Sequence, residues 1–163
     1  MTNKNRGMIL EVIINKTIKF YNDNNIAIFQ KKNLDISFKK VTAKNNELEN
    51  AIISKKSTVD YYGIYKGMFI CFEAKSTNEN FLPWSNIKEH QIKYLKKIKE
   101  HGGISFFIIL FKHLERFFIL SIDKIDLKSK KEVINILFLE KNGYEIELMY
   151  PGIIDFVNLL QYL

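Results

Sequence analysis

Apolar and polar positions alternate most sharply in Met68-Phe69-Ile70-Cys71-Phe72-Glu73-Ala74-Lys75. A strand sends successive side chains to opposite faces. Met68, Ile70, Phe72 and Ala74 therefore share one face, and Phe69, Cys71, Glu73 and Lys75 the other. The preceding Asp60-Tyr61-Tyr62-Gly63-Ile64-Tyr65 is aromatic and strand-like, and Lys66-Gly67 suits a two-residue turn between them. Pairing Tyr65 with Met68 sets Asp60 opposite Glu73, whereas a glycine bulge would slip that register by one. Upstream, Ile9, Val12, Ile13 and Phe20 predict a helix over about 5–24 that buries this stripe, with Glu11 on another face beside Met8, Asn15 and Ile18. Ile26-Ala27-Ile28-Phe29 predicts a strand.

Beyond the hairpin, Pro83-Trp84-Ser85-Asn86 breaks the chain, and a second helix is predicted over about 86–101. Ile87, Gln91, Leu95 and Ile98 form its stripe, on which Gln91 reads most simply as a satisfied core amide. His101-Gly102-Gly103 is a helix C-terminus, with His101 capping rather than catalysing. Ile104 to Phe111 is a buried strand, and Phe117 to Leu120 an antiparallel partner. Asp123 to Lys131 is charged, Tyr144 to Met149 predicts a short strand, and Asp155 to Leu163 a terminal helix. Residues 34–56 lack core character. There Lys39, Lys40, Lys44, Lys55 and Lys56 alternate with Asn and Glu, as expected of a loop or a projecting basic hairpin. The order predicts an α/β fold, a mixed central β-sheet flanked by helices, in one domain over 1–163.

A length of 163 residues, 47% apolar and 26% charged, is enough for one sizeable core. No segment has the length and apolarity of a membrane span, and Glu11 interrupts any secretory-type N-terminus. The lone Cys71 excludes an intrachain disulfide and fits a reducing cytoplasm. His90, His101 and His113 lack metal-site spacing. The net charge of +7 narrows the partners to nucleic acid, an anionic membrane or an acidic protein. Only Arg6 and Arg116 are arginines. Lysine suits phosphate contact, whereas base reading favours the arginine fork, although AT-biased coding also depletes arginine.

Asp60, Glu73 and Lys75 converging on one hairpin form the minimal set for a metal-dependent nuclease. Like charges on facing strands repel unless a cation bridges them. Hard oxygen donors suit Mg²⁺ or Mn²⁺, and a lysine can orient water or stabilise developing phosphorane charge. The plainer alternative is an ordinary Glu73–Lys75 ion pair on an exposed strand edge.

Further motifs surround this set: Asn5-Arg6-Gly7-Met8, Leu10-Glu11, Ser57-Thr58-Val59-Asp60-Tyr61, Gly63-Ile64-Tyr65-Lys66-Gly67, Phe72-Glu73-Ala74-Lys75, His90-Gln91 and Ile154-Asp155-Phe156. With them the chain resembles the RecU-type Holliday junction resolvases of the restriction-endonuclease-like PD-(D/E)xK superfamily. The resemblance implies a cytoplasmic homodimer that nicks opposed strands of four-way branched DNA with Mg²⁺, or Mn²⁺, and works beside recombination proteins. It implies Asp60 and Glu73 as metal ligands and Lys75 as the catalytic lysine, supported by Glu11 and Gln91. DNA contacts would come from Thr58, Lys39, Lys40, Lys44, Lys55 and Lys56, with residues 34–56 as a stalk entering the junction. Cys71 stands where the family usually has an acid, and the stalk lacks the family's Tyr-Pro-x-Arg-Ser stretch. A non-catalytic junction binder and a nuclease acting on linear duplex are the alternatives.

Overall fold

The computed structural model describes residues 8–33, 35–37, 40–42, 47–49, 52–55, 58–126 and 133–163. The elements run α1 (Met8–Asp23), β1 (Ile28–Lys31), β2 (Asp35–Ser37), β3 (Lys40–Thr42), β4 (Glu47–Glu49), β5 (Ile52–Lys55), β6 (Tyr61–Tyr65), β7 (Met68–Thr77) and β8 (Phe81–Leu82). They continue through α2 (Glu89–Glu100), β9 (Ile104–Phe111), β10 (Arg116–Ser121), β11 (Ile134–Asn135), α3 (Ile136–Asn142), β12 (Tyr144–Ile146), β13 (Leu148–Met149) and β14 (Ile153–Ile154). Six strands form the central sheet in the order β1-β6-β7-β9-β10-β12. It is mixed: β7 and β9 run parallel, connected through α2, and the other neighbours are antiparallel. This is the α/β arrangement expected.

The two-fold alternation of β7 and β9 builds a core on each face. Ile70, Phe72, Phe106, Ile108 and Leu110 pack against α1 and the C-terminal segment. Cys71, Phe107, Ile109 and Phe111 pack against α2. Tyr61, Phe72 and Phe106 occupy one row across β6, β7 and β9, and their rings stack at 5.0 Å each. Such cross-strand aromatic pairs help to fix register.

The hairpin register is the predicted one, with Tyr65 opposite Met68 and Tyr61 opposite Phe72. Lys66 and Gly67 both have positive φ, 47° and 79°, as a tight primed turn requires. Between positions 34 and 56, β2 pairs with β5 and β3 with β4, both antiparallel, and among the described residues neither pair joins the central sheet. Lys40 and Lys55 sit on β3 and β5. Their side chains, and Lys39, Lys44 and Lys56 altogether, lie outside the described residues.

Several expectations need correction. Helix α1 does not bury Ile9, Val12 and Phe20; Ile9 is 58% and Val12 49% exposed. The buried stripe is Leu10, Ile14, Thr17 and Tyr21. It carries two hydroxyls, and the C-terminal segment satisfies both. Thr17 Oγ1 accepts from the Ile154 N–H at 3.0 Å. Tyr21 Oη donates to Asp155 Oδ1 at 2.8 Å and accepts from the N–H groups of Phe156 at 2.8 Å and Val157 at 3.3 Å. Asp155, in a motif of the resemblance, thus serves the fold. The first strand begins two residues later than expected, at Ile28. A short 3₁₀ turn, Trp84–Asn86, precedes α2, and the terminal helix is 3₁₀ over Val157–Tyr162. Helix α3 and the short β8–β11 pair were not expected.

Candidate active site

Glu73 lies in the middle of the sheet on the face covered by α2, and it is fully buried. An exposed edge ion pair is therefore excluded. Lys75 projects from the same face, and its Nζ donates to Glu73 Oε2 at 2.9 Å. Gln91, on the first turn of α2, completes a triangle. Its Nε2 donates to Glu73 Oε2 at 2.7 Å, and its Oε1 accepts from Lys75 Nζ at 3.1 Å. Gln91 is thus a satisfied amide, as its place on a buried stripe suggests, but its partners are the two charged groups of the site.

Asp60 sits one residue ahead of β6. The Ala74 N–H donates to its Oδ2 at 3.0 Å, and the Lys32 N–H donates to its carbonyl at 2.7 Å. Backbone from β7 and from the chain just past β1 therefore fixes Asp60 at the position the register predicts. Its carboxyl stands near enough to Glu73 for the two charges to repel. Burial, then the Asp60 charge, push the Glu73 carboxyl up to about 8, with Lys75 opposing both. Glu73 Oε1 is buried without a hydrogen-bond partner. An ionised carboxylate oxygen left so is costly.

That orphaned oxygen, on a carboxylate with a second one nearby, is what a small divalent cation would satisfy. Among the described residues no group of three or more His, Cys, Asp or Glu side chains gathers to hold a metal. The protein would then supply Asp60 and Glu73, with water and substrate oxygens filling the other positions. This pattern fits Mg²⁺, which is usually bound by one or two carboxylates. Hard-oxygen chemistry also fits Mn²⁺.

An open cleft of about 360 Å³ exposes the site, lined by Glu11, Lys31, Asp60, Tyr61 and Lys75 among others. Glu11 reaches the cleft as expected, but Lys31 pairs with it there. Tyr61 Oη donates to Asn15 Oδ1 at 3.1 Å, which ties α1 to the start of β6. Thr58 lies at the flank, its Oγ1 accepting from Lys32 Nζ at 3.0 Å. Cys71 does not line the cleft. It is fully buried under α2, and burial followed by the Glu73 charge pushes its thiol up to about 12. Sequence reasoning missed Lys31, Ser85, Asn86 and Lys88. Only the pairing of Lys31 with Tyr61 across β1 and β6, and the packing of the segment before α2, bring them to the cleft.

Residues 5–162 match the model of the Recombination protein U family. Three relatives carry the name Holliday junction resolvase RecU. That of Mycoplasmopsis pulmonis is 45% identical over 96% of this chain and 94% of its own length. That of Ureaplasma parvum is 37% identical over 98% and 94%. That of Bacillus subtilis is 36% identical over 98% and 81%. The chain belongs to the RecU family. A solved structure of Archaeoglobus fulgidus Hjc, a Holliday junction resolvase, aligns with 81% of this chain and 93% of that one at 7% identity, with a TM-score of 0.49.

Proposed function

We propose that this protein is a structure-selective endonuclease that resolves four-way DNA junctions by metal-dependent paired nicking, in recombination and repair. The observation that carries the chemistry is the buried Glu73 carboxylate. One of its oxygens has no partner, while the other is held by Lys75 and Gln91, and the Asp60 carboxyl stands nearby. The relatives' shared name supports the substrate.

When bound between Asp60 and Glu73, Mg²⁺ or Mn²⁺ would polarise the scissile phosphodiester and lower the pKa of an attacking water. The remaining work falls to the chain. Backbone N–H groups hold Asp60 at a fixed position, and burial holds Glu73 where only a proton or a cation relieves its charge. Lys75 is anchored by Glu73 and Gln91, so its ammonium is aimed before substrate arrives and can stabilise charge developing on phosphorus. Gln91 is a positioning residue that acts through both. Glu11, held by Lys31, supports the cleft's outer wall.

Two equivalent cuts in a symmetric junction require two sites, and a two-fold homodimer supplies them. The β2–β5 ribbon, with Lys39, Lys40, Lys44, Lys55 and Lys56, would enter the junction as a stalk, and Thr58 would touch DNA beside the site. The protein would act in the cytoplasm beside recombination proteins. No described helix is long and apolar enough to cross a membrane.

Incubating the protein with an immobile four-way junction, and separately with its linear arms, in Mg²⁺, Mn²⁺ or EDTA tests the reading. Symmetric nicks in the junction alone, absent in EDTA and abolished by Asp60→Asn with binding retained, are expected. Preferential cutting of linear duplex, binding without nicks in either metal, or normal cutting by Asp60→Asn would each overturn it.

A further inference from the structure

The cleft at Asp60, Glu73 and Lys75 does not end at the metal position. Its wall residues Ser76, Ser85 and Asn86 also line a second, smaller hollow of about 190 Å³, so the two adjoin. The hollow lies at the C-terminal ends of the parallel strands β7 and β9 and is lined by Lys112, the first residue after β9. Apart from Pro83, its lining is mostly polar: hydroxyls, amides, one cation and one carboxylate. The ammonium of Lys112 makes no ion pair or hydrogen bond among the described residues. Most cations close to the site are committed. Lys75 is held by Glu73, Lys31 by Glu11, and Lys88 rests on the Ser85 carbonyl at 3.0 Å. The one carboxylate lining the hollow, Glu79, is exposed and forms no salt bridge with Lys112.

We infer that this hollow is a second phosphate subsite, in which Lys112 with Ser85 and Asn86 receives the phosphodiester backbone of the cleaved strand as it leaves the metal site. The inference rests on the DNA-cleaving function proposed above and extends it to residues outside the predicted catalytic set and stalk. The dimensions fit. Thr77 pairs with Phe111 across β7 and β9. Lys112 is therefore about three strand residues along and one strand across from Lys75, roughly 11 Å at ordinary strand spacings. A single strand carries a phosphate about every 3.4 Å of helix axis, so the subsite would meet the backbone within about three phosphates of the cut. Hydroxyl and amide donors beside a single cation suit a phosphodiester of one negative charge, and the groups contact the backbone rather than the base edges.

The test uses full-length protein carrying Asp60→Asn, so that binding is read without cleavage, and an immobile junction of known nick position. Junction affinity is measured from 50 to 200 mM salt for this background, for Lys112→Ala added to it, and for Lys66→Ala added to it as a control at the opposite end of the hairpin. Loss of one phosphate contact should flatten the log–log salt slope by about 0.9, so the variant-to-parent ratio of Kd shrinks about 3.5-fold across that range. Lys66→Ala should leave the slope alone. A scan of neutral methylphosphonates through the three phosphates flanking the cut then locates the contact. One position should weaken the parent severalfold and leave the Lys112→Ala protein indifferent. An unchanged slope in Lys112→Ala, or no position to which it alone is indifferent, overturns the subsite while leaving the nuclease reading intact. Absence of junction binding by the parent would overturn both.

Discussion

Replacing Glu73 by glutamine should make the metal-free protein more stable at pH 8 while ending cleavage. Burial and Asp60 hold the Glu73 carboxyl at about 8 rather than its ordinary 4.5. Below about 4.5 the group is protonated in both folded and unfolded chains, and it costs nothing. Between these values the folded protein keeps a proton that the unfolded chain has lost, so stability falls as pH rises, and the full penalty stands above 8. At about 1.4 kcal/mol per pH unit the ceiling is about 5 kcal/mol. A glutamine carbonyl oxygen can still accept from Lys75 and Gln91, and its amide can donate towards Asp60. The lost attraction to Lys75 offsets part of the gain, which leaves about 1–3 kcal/mol of net stabilisation. Urea denaturation in EDTA at pH 5, 6.5 and 8.5 measures this. The wild-type and Glu73→Gln proteins should nearly coincide at pH 5 and separate as pH rises. Mg²⁺ should restore wild-type stability by binding the folded state and should affect the variant far less. Wild-type stability that stays level from pH 5 to 8.5, or a variant less stable than wild type at pH 8.5, would refute the reasoning.

Removing one hydroxyl in Tyr21→Phe strands the buried N–H groups of Phe156 and Val157 and frees Asp155. A loss of about 2–4 kcal/mol is expected in the same denaturation assay, with faster amide exchange in the C-terminal segment. At Gly63 a Cβ would lie 2.2 Å from the Ile28 carbonyl oxygen and 2.4 Å from the Phe29 ring. Gly63→Ala should therefore push β1 off the sheet edge, cost at least about 2 kcal/mol and weaken the Lys31–Glu11 pairing, seen as exchange protection lost first in β1. In Gln91→Leu the Glu73–Lys75 pair remains, but both partners lose a neutral hydrogen bond. Single-turnover nicking should slow by about ten- to a hundredfold while junction affinity changes little, at a position where mere core filling would leave the rate alone.

The chain announces the hairpin of its candidate site because the signal is local. Two-fold alternation puts Glu73 and Lys75 on one face, a two-residue turn fixes the register, and that register directs Asp60 towards Glu73, where the Lys32 N–H also holds it. The buried strand Ile104 to Phe111 and the C-terminus of α2 are legible for the same reason. Helix α1 was misread because the burial pattern of a helix depends on its partner. Leu10, Ile14, Thr17 and Tyr21 form the inward stripe, and the distant Ile154 to Val157 segment supplies partners for the Tyr21 hydroxyl and a donor to the Thr17 hydroxyl, which also bonds Ile13 in its own helix. A count of apolar residues prefers Ile9 and Val12 instead. Tertiary structure alone decides that both faces of β7 are covered, which turns the Glu73–Lys75 pair from a surface ion pair into one with a fully buried carboxylate. It also brings Gln91, from a helix packed on the sheet, to the Glu73 carboxylate, and Lys31, from across an antiparallel pair, to Glu11 at the cleft wall. Sequence fixes which residues share a face; burial, and the charges that distant segments place nearby, decide what those residues can do.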